Sequence, residues 1–189
     1  MSTPSADDQR QFTLTYNETY TKVLAYLRRR SDADTAADLT AEVFVRAWRS
    51  REALWDAKHE LAWLYGVARN VLLEFYRQRD HDQQGISALE GGASTQRTGG
   101  LPQVEHAAPD VTASVDSALD ISRTLTSLTR SDQELLTLHA WEGLDAPQIA
   151  EVLGIAPGTA RVHLHRARSR LAGALAGTPQ THYGSKATR

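Results

Sequence analysis

Residues 145–168 carry the pattern that most constrains the fold, because its caps, turn and apolar positions fit two short helices that cross. Asp145-x-x-Gln148 has the form of a capping box, which starts a helix by pairing two side chains with backbone N–H groups. Ala150 is small enough for a close crossing, and Gly154 tolerates the positive φ that a tight turn requires. The apolar anchors around this turn are Ile149, Leu153, Ile155, Ala160 and Leu164. This spacing predicts a helix-turn-helix, with helices over 146–153 and about 158–172.

The second helix of this pattern is basic, although the whole chain carries a formal net charge of −2. No acidic residue follows Glu151. The basic residues that follow it are Arg161, Arg166, Arg168, Arg170, Lys186 and Arg189. DNA responds to charge within about one Debye length, roughly 8–10 Å, so the local patch matters more than the total. The sequence therefore predicts that the second helix binds DNA.

The remainder of the chain also has helical periodicity. Apolar residues recur every three or four positions in the N-terminal half, and the first such segment ends at the arginines 28–30, where cations favour a helix C-terminus. Ser31 or Asp32 can cap a second helix to about residue 50, and a third extends over about 60–79. Ser131-x-x-Glu134 has the form of another capping box. Because no alternating strand pattern competes, we expect an all-α protein.

A polar segment divides the chain into two parts. Residues 81–116 contain five of the twelve glycines, no aromatic residue, and one arginine against five acidic residues. Such a segment cannot bury enough apolar surface to offset its ordering entropy. We therefore expect two small helical domains, over 10–80 and 117–176, joined by a flexible linker over 81–116. The C-terminal domain contains the helix-turn-helix, and a disordered tail is expected over 177–189.

Several classes of protein are disfavoured by what the sequence lacks. There is no cysteine, no apolar run of the roughly 20 residues that a membrane helix needs, and no signal-peptide core near the N-terminus. The chain also has no phosphate-binding GK[ST] loop, and His163 and His165 are two apart on a helix, so they cannot share a metal. We expect a cytoplasmic protein without membrane insertion, catalytic residues, metal or cofactor, and therefore not an enzyme.

Three segments, in order, resemble conserved parts of the extracytoplasmic-function (ECF) sigma factors of bacterial RNA polymerase. Residues 34–48 (DTAADLTAEVFVRAW) are similar to their polymerase-binding helix. Residues 62–70 (AWLYGVARN), followed by 75–79 (FYRQR), resemble their promoter-melting helix, and 143–155 with 158–168 resemble their second conserved domain. The resemblance implies a subunit that binds core polymerase, reads the −35 promoter element with its C-terminal helix and melts the −10 element with its N-terminal domain.

The resemblance also implies roles for individual residues of the N-terminal domain. Those expected to bind the clamp helices of the polymerase's largest subunit are Asp38, Glu42, Val45, Arg46 and Arg49. Those expected to contact the −10 element are Trp55, Lys58, Trp63, Tyr65, Arg69, Asn70, Arg77 and Arg79. The aromatic rings would stack on an unpaired base, Asn70 would read a base edge, and the cations would lie near phosphates.

In the C-terminal domain the resemblance assigns the −35 contacts. The residues concerned are Thr159, Arg161, Val162, His163, His165, Arg166 and Arg168. Thr159 and Arg168 are better assigned to phosphate than to bases. The family often has valine, a basic residue, serine and arginine in succession at 160–163, where this chain has Ala-Arg-Val-His. One permanent charge and one hydroxyl are therefore missing from the expected base-reading set.

The expected partners are core RNA polymerase, promoter DNA and an anti-sigma factor. An alternative is a conventional helix-turn-helix transcription regulator with a helical sensory domain, which would bind duplex DNA without polymerase. A sensory domain would need an apolar pocket, whereas Asp38, Glu42 and the helix around Trp63 and Asn70 indicate polymerase and single-strand contacts. A protein-binding adaptor is a third reading, and the positive charge after Glu151 disfavours it.

Overall fold

The computed structural model describes residues 4–89 and 124–177, and all regular structure in these ranges is helical. The helices are α1 (Ala6–Arg28), α2 (Ala33–Arg49), α3 (Arg51–Asp56), α4 (Glu60–Leu89), α5 (Arg130–Ala140), α6 (Ala146–Leu153) and α7 (Pro157–Gly177). One helical turn at 124–127 precedes α5. The all-α prediction is confirmed for the described residues.

Two of the predicted helix starts form as the sequence indicates. At α6, the backbone N–H of Gln148 donates to Oδ1 of Asp145, and the N–H of Asp145 donates to Oε1 of Gln148, both at 2.9 Å. The same helix ends at Gly154, whose φ of 65° and ψ of 36° are left-handed. Of the two candidates for α2, Asp32 is the cap, since its Oδ1 accepts from the N–H of Thr35 at 2.9 Å.

The predicted capping box at Ser131 and Glu134 is wrong. Thr129 is the N-cap of α5, and its Oγ1 accepts from the N–H of Asp132 at 3.2 Å. The helix begins earlier because Thr129 and Asp132 also bond through their side chains, at 2.8 Å. Glu134 is thereby left inside the helix, where its carboxylate pairs with Arg69 of α4.

Helix α4 is longer than the periodicity predicts. It ends at Leu89 rather than near residue 79, so its last turns fall within the segment expected to be a linker. Residues 90–116 of that segment and the tail beyond residue 177 lie outside the described residues.

One hydrophobic core joins the N-terminal helices to α5 and α6. It contains Val23 and Leu27 of α1, Leu64 of α4, Leu138 of α5 and Ile149 of α6, all fully buried. The contact between α4 and α6 is among the most extensive in the structure. A second, smaller cluster, composed of Leu125, Leu136 and Ala167 with Leu128 and Leu171, holds α7 against α5. The two halves of the chain therefore pack as one unit.

Candidate nucleic-acid interface

Helix α7 divides into a buried stripe and an exposed basic face. Ala160, Leu164 and Ala167 are buried against the rest of the C-terminal half. All the residues predicted to contact the −35 element are exposed: Thr159, Arg161, Val162, His163, His165, Arg166 and Arg168. Val162 is 47% exposed, although it is apolar. The helix can therefore lie against another molecule with these side chains without repacking its own core.

Two arginines of α7 already have partners within the C-terminal half. Nη1 of Arg170 donates to both carboxylate oxygens of Asp132, at 2.7 and 2.8 Å. Arg168 contacts Nε2 of His139, whose Nδ1 lies 2.8 Å from the carbonyl oxygen of Leu144. Arg170 therefore connects α7 to the first turn of α5, and the guanidinium of Arg168 contacts the imidazole of His139.

The predicted −10 residues of α4 separate onto two faces of the helix. Trp63, Asn70 and Arg77 lie on one face and line an open pocket of about 260 Å³ between α2 and α4. The other residues of the pocket wall are Arg46, Ser50, Val67 and Glu74. Asn70 is exposed and Trp63 is half-buried, so an amide and an indole ring are both accessible from solvent.

The pocket wall is organised by one arginine of α2. Arg46 bonds Glu42 through Nε and Glu74 through Nη2, each at 2.7 Å. Hydrogen bonding to Arg46 lowers the pKa of Glu74, so this residue is a carboxylate near neutral pH. The pocket thus presents a fixed acceptor, an amide, an aromatic ring and the exposed Arg77.

Tyr65 and Arg69 lie on the other face of α4, towards the C-terminal half. Tyr65 is only 2% exposed, and its ring centroid lies 5.1 Å from that of Tyr26. Burial, and next the nearby Glu142, raise the pKa of Tyr65. Nε of Arg69 donates to Glu134 at 2.6 Å. Tyr65 is therefore inaccessible to DNA in this arrangement, whereas Arg69, whose side chain is 25% exposed, has its guanidinium paired with Glu134.

The remaining −10 candidates lie just before α4 and in its second half. Lys58, in the loop before α4, and Arg77 and Arg79 are exposed. Trp55 of α3 is half-buried, and its indole N–H is buried without a hydrogen-bond partner among the described residues. Its ring packs against the core, which favours a structural role for most of its surface.

The predicted polymerase-binding residues share one side of α2. Asp38, Val45 and Arg49 are exposed, and Glu42 and Arg46 are partly exposed. Val45 is 43% exposed and is the apolar member of this side. These positions recur every three or four residues along α2, so their charged and apolar side chains form one continuous surface.

Sequence reasoning missed Ser50, Val67 and Glu74 as pocket residues. The last two follow Trp63 at helical spacing, so the periodicity that placed Asn70 and Arg77 on one face could have included them. Sequence reasoning also missed Glu142, whose side chain is 2% exposed and pairs with Arg29 and Arg30. No local pattern signals an ion pair over more than a hundred residues.

Within residues 4–89 and 124–177, no group of three or more histidine or acidic residues could hold a metal ion. None of the described helices combines the length and the apolar character required to cross a membrane.

Comparison with known proteins identifies the class. Residues 15–81 match the family model described as Sigma-70 region 2, and residues 118–171 match the one described as Sigma-70, region 4. The helical fold and these two regions define a sigma factor, which is a transcription initiation factor and not an enzyme.

Two relatives identify the group of sigma factors to which the chain belongs. The chain is 32% identical over 143 residues to the ECF RNA polymerase sigma factor SigL of Mycobacterium tuberculosis, covering 75% of each protein. It is 29% identical over 157 residues to the RNA polymerase sigma factor YlaC of Bacillus subtilis, covering 82% of this chain and 87% of YlaC. The chain therefore belongs to the ECF sigma factors of RNA polymerase, and it directs promoter recognition and transcription initiation.

A solved structure supports the fold. The sigma factor RpoE of Bartonella quintana, crystallised with the anti-sigma factor NepR, matches with a TM-score of 0.59 and 22% identity, over 89% of this chain and 98% of that one. Family membership also removes the alternative of a conventional helix-turn-helix regulator with a sensory domain.

Proposed function

We propose that α7 reads the −35 element, that the pocket face of α4 and the loop before it read and melt the −10 element, and that the exposed side of α2 binds the clamp helices of the polymerase's largest subunit. The N-terminal unit spans residues 10–80 and the C-terminal unit 117–176, with 81–116 as the linker. The proposed location is the cytoplasm, where polymerase acts. The observation that carries the proposal is the exposed basic face on α7.

The chemistry of α7 suits the major groove of DNA. Base contacts come from the N-terminal part of a recognition helix, and phosphate contacts surround them. Arg161 and Arg166 can each make a bidentate contact to guanine, and the exposed Val162 suits a thymine methyl group. His165 adds a donor or acceptor near the same edge, and Thr159 and Arg168 remain assigned to phosphates.

The pocket between α2 and α4 suits an unpaired base. Removing a base from its stack costs a few kcal/mol, and stacking on an aromatic ring returns about 1–3 kcal/mol. Trp63 supplies the ring, Asn70 a donor and acceptor for a base edge, and Glu74 an acceptor for an exocyclic amino group. Arg77 and Lys58 are exposed, and we assign them to phosphates of the same strand.

An anti-sigma factor is the third proposed partner. The sigma factor RpoE of the structural comparison is bound to the anti-sigma factor NepR. We infer that a comparable partner of this chain would cover the exposed side of α2 and with it the polymerase contact. This inference rests on the likeness in fold and on the exposed Val45 at the centre of that side.

A reconstituted transcription assay tests the proposal. Purified chain is added to core RNA polymerase and genomic DNA, and the transcript start sites are mapped. We expect start sites that share a bipartite promoter with −35 and −10 elements and that disappear when either component is omitted. DNA binding without core-dependent initiation would refute the proposal.

Matched variants assign the two DNA contacts. Arg166→Ala should lower initiation from the mapped promoters about 5- to 150-fold, since a bidentate base contact is worth about 1–3 kcal/mol. Its control is Arg10→Ala, which removes an exposed arginine from α1. Asn70→Ala should impair promoter opening while duplex −35 binding is kept, with Asn17→Ala of α1 as control. Loss of core binding by Arg166→Ala would contradict the assignment.

A further inference from the structure

Helix α5 carries three residues at helical spacing that face α7. Asp132, Leu136 and His139 are four and three positions apart, so they lie on one face of α5. Leu136 and Ala167 of α7 belong to one buried cluster. The two polar residues of this face each contact an arginine of α7 that follows Ala167. Helix α5 therefore supports part of the basic surface that the proposed function assigns to DNA.

The two arginines have partners of different charge. Nη1 of Arg170 lies 2.7 and 2.8 Å from the carboxylate oxygens of Asp132, whose side chain is only 6% exposed. The positive charge of Arg170 is thus balanced within the protein. Arg168 instead contacts Nε2 of His139 through Nη2. A neutral imidazole holds a guanidinium without cancelling its charge, so Arg168 keeps that charge for a partner outside the protein.

The hydrogen-bond partners of His139 assign the tautomer of its ring. Nδ1 lies 2.8 Å from the carbonyl oxygen of Leu144, which can only accept, so Nδ1 carries the hydrogen. The guanidinium of Arg168 has only donors, so Nε2 must accept. The neutral ring with its hydrogen on Nδ1 satisfies both contacts. An imidazolium would turn a donor of its own towards the donors of Arg168.

The carbonyl group that orients this ring is itself held by the backbone. Leu144 is 3% exposed, and its N–H donates to the carbonyl oxygen of Leu138 at 3.2 Å. The turn before it passes through Gly143, whose φ of 68° is left-handed. The ring of His139 is therefore anchored to buried backbone at Nδ1 and contacts the exposed Arg168 at Nε2.

We propose that His139 is a positioning residue for promoter recognition, whose neutral imidazole holds the guanidinium of Arg168 ready for a phosphate of the −35 element and leaves its charge uncancelled. The inference rests on the proposed function, which assigns Arg168 to a phosphate. Because Nη2 is the nitrogen that contacts the ring, Nη1 and Nε can donate to that phosphate. A guanidinium that is already ordered avoids part of the entropy cost of being immobilised on binding.

The tautomer of His139 can be measured without DNA. Long-range proton–nitrogen correlation spectra of the full chain, in a mildly alkaline buffer where histidine is ordinarily neutral, distinguish a hydrogen on Nδ1 from one on Nε2. Comparison with His139→Gln identifies the signals of this ring. We expect the form with its hydrogen on Nδ1. The other tautomer would overturn the proposal, because its Nε2 cannot accept from Arg168.

The binding assay uses the holoenzyme, formed from the full chain and core polymerase. The probe is a labelled promoter fragment from the start sites mapped in the transcription assay, and fluorescence anisotropy gives the affinity over a series of salt concentrations. Each phosphate that a cation neutralises contributes about 0.9 to the steepness of log affinity against log salt. Arg168→Ala should therefore lower the affinity and reduce this steepness by about one.

Substitutions of His139 separate order from charge. His139→Ala should lower the affinity about two- to tenfold, because an unheld arginine must be immobilised when DNA binds, and it should leave the salt dependence unchanged. His139→Glu should reduce the salt dependence by about one phosphate, because a carboxylate balances the charge of Arg168. His139→Gln keeps a neutral acceptor and should lose less affinity than His139→Ala. The matched control is His81→Ala, at an exposed position on α4, which should change neither quantity.

A double-mutant cycle distinguishes positioning from a merely structural role. If His139 acts through Arg168, His139→Ala should have no further effect on affinity in the Arg168→Ala background. An equal loss in both backgrounds would overturn the proposal, as would an unchanged affinity for His139→Ala alone. Circular dichroism checks that each variant is folded.

The result for Arg168→Ala tests the proposed function separately. If this substitution changes neither the affinity nor the salt dependence, the assignment of Arg168 to a phosphate is wrong, and the role of His139 is wrong with it. If it lowers both while His139→Ala shows no coupling to it, the phosphate contact stands and only the positioning role of His139 is refuted.

Discussion

Replacement of Gly154 by alanine tests whether backbone geometry alone fixes the helix-turn-helix. Gly154 ends α6 with φ of 65°, and the following N–H of Ile155 donates to the carbonyl oxygen of Ala150 at 3.0 Å. An added Cβ would meet nothing within 4 Å, so no steric clash with a neighbour contributes. The left-handed conformation costs an L-residue roughly 1–2 kcal/mol. Alanine offsets part of this cost, because it restricts the conformations of the unfolded chain more than glycine does.

We therefore expect Gly154→Ala to lower the free energy of unfolding by about 1 kcal/mol, which corresponds to a fall in Tm of about 2–4 °C for a chain of this size. The matched control is Gly173→Ala in α7, where an added Cβ also meets nothing within 4 Å. There the backbone is helical, so alanine should raise the free energy of unfolding by about 0.5–1 kcal/mol.

Urea unfolding followed by circular dichroism measures both changes on the full chain. Both substitutions add the same methyl group in open space. Opposite signs of the change in the free energy of unfolding would therefore isolate the effect of the backbone conformation. If Gly154→Ala were as stabilising as Gly173→Ala, the turn would not be left-handed and the crossing of α6 and α7 would need another explanation.

Three further changes test the core, a cap and an ion pair. Leu138→Ala, at a fully buried position, should lower the free energy of unfolding in urea by about 2–5 kcal/mol, whereas Leu14→Ala at a 60% exposed position should change it by less than about 0.5 kcal/mol. Asp145→Ala removes the N-cap of α6 and should lower the free energy of unfolding by about 1 kcal/mol. An unchanged free energy of unfolding would contradict the role of Asp145 as the cap. Because Arg46 lowers the pKa of Glu74 below its ordinary 4.5, the carboxylate contributes stability above that pH and loses it as pH falls through the lower folded value. Glu74→Gln should therefore flatten the acid side of the stability profile, and an identical profile would count against the pair.

The division of α4 into two faces shows where sequence reasoning reached its limit. Helical spacing alone places Trp63, Asn70 and Arg77 on one side, and the pocket between α2 and α4 lies there. The same spacing places Tyr65 and Arg69 elsewhere on the helix but does not say what covers them. Tyr65 packs against Tyr26 and lies near Glu142, and Arg69 pairs with Glu134. These partners are distant in the sequence, so residue types near α4 do not encode them.

Local patterns by themselves determined the helical class, the capping box at Asp145, the left-handed end of α6 at Gly154 and the resemblance to ECF sigma factors. These features depend on hydrogen bonds and side-chain spacing within a few residues, so the sequence displays them directly. The same reasoning misplaced the start of α5, because Ser131-x-x-Glu134 fits a capping box as well as the true cap at Thr129 does.

Only the tertiary structure decided that the two halves share a core and that the arginines after α1 have buried partners. From the sequence, residues 28–30 are a favourable helix ending, yet Arg29 and Arg30 also pair with Glu142 across the interface. The energy of such a pair depends on burial and on the approach of distant segments. That approach accompanies the extensive packing of α6 against α4. The sequence specifies these charges, and the fold alone brings them together.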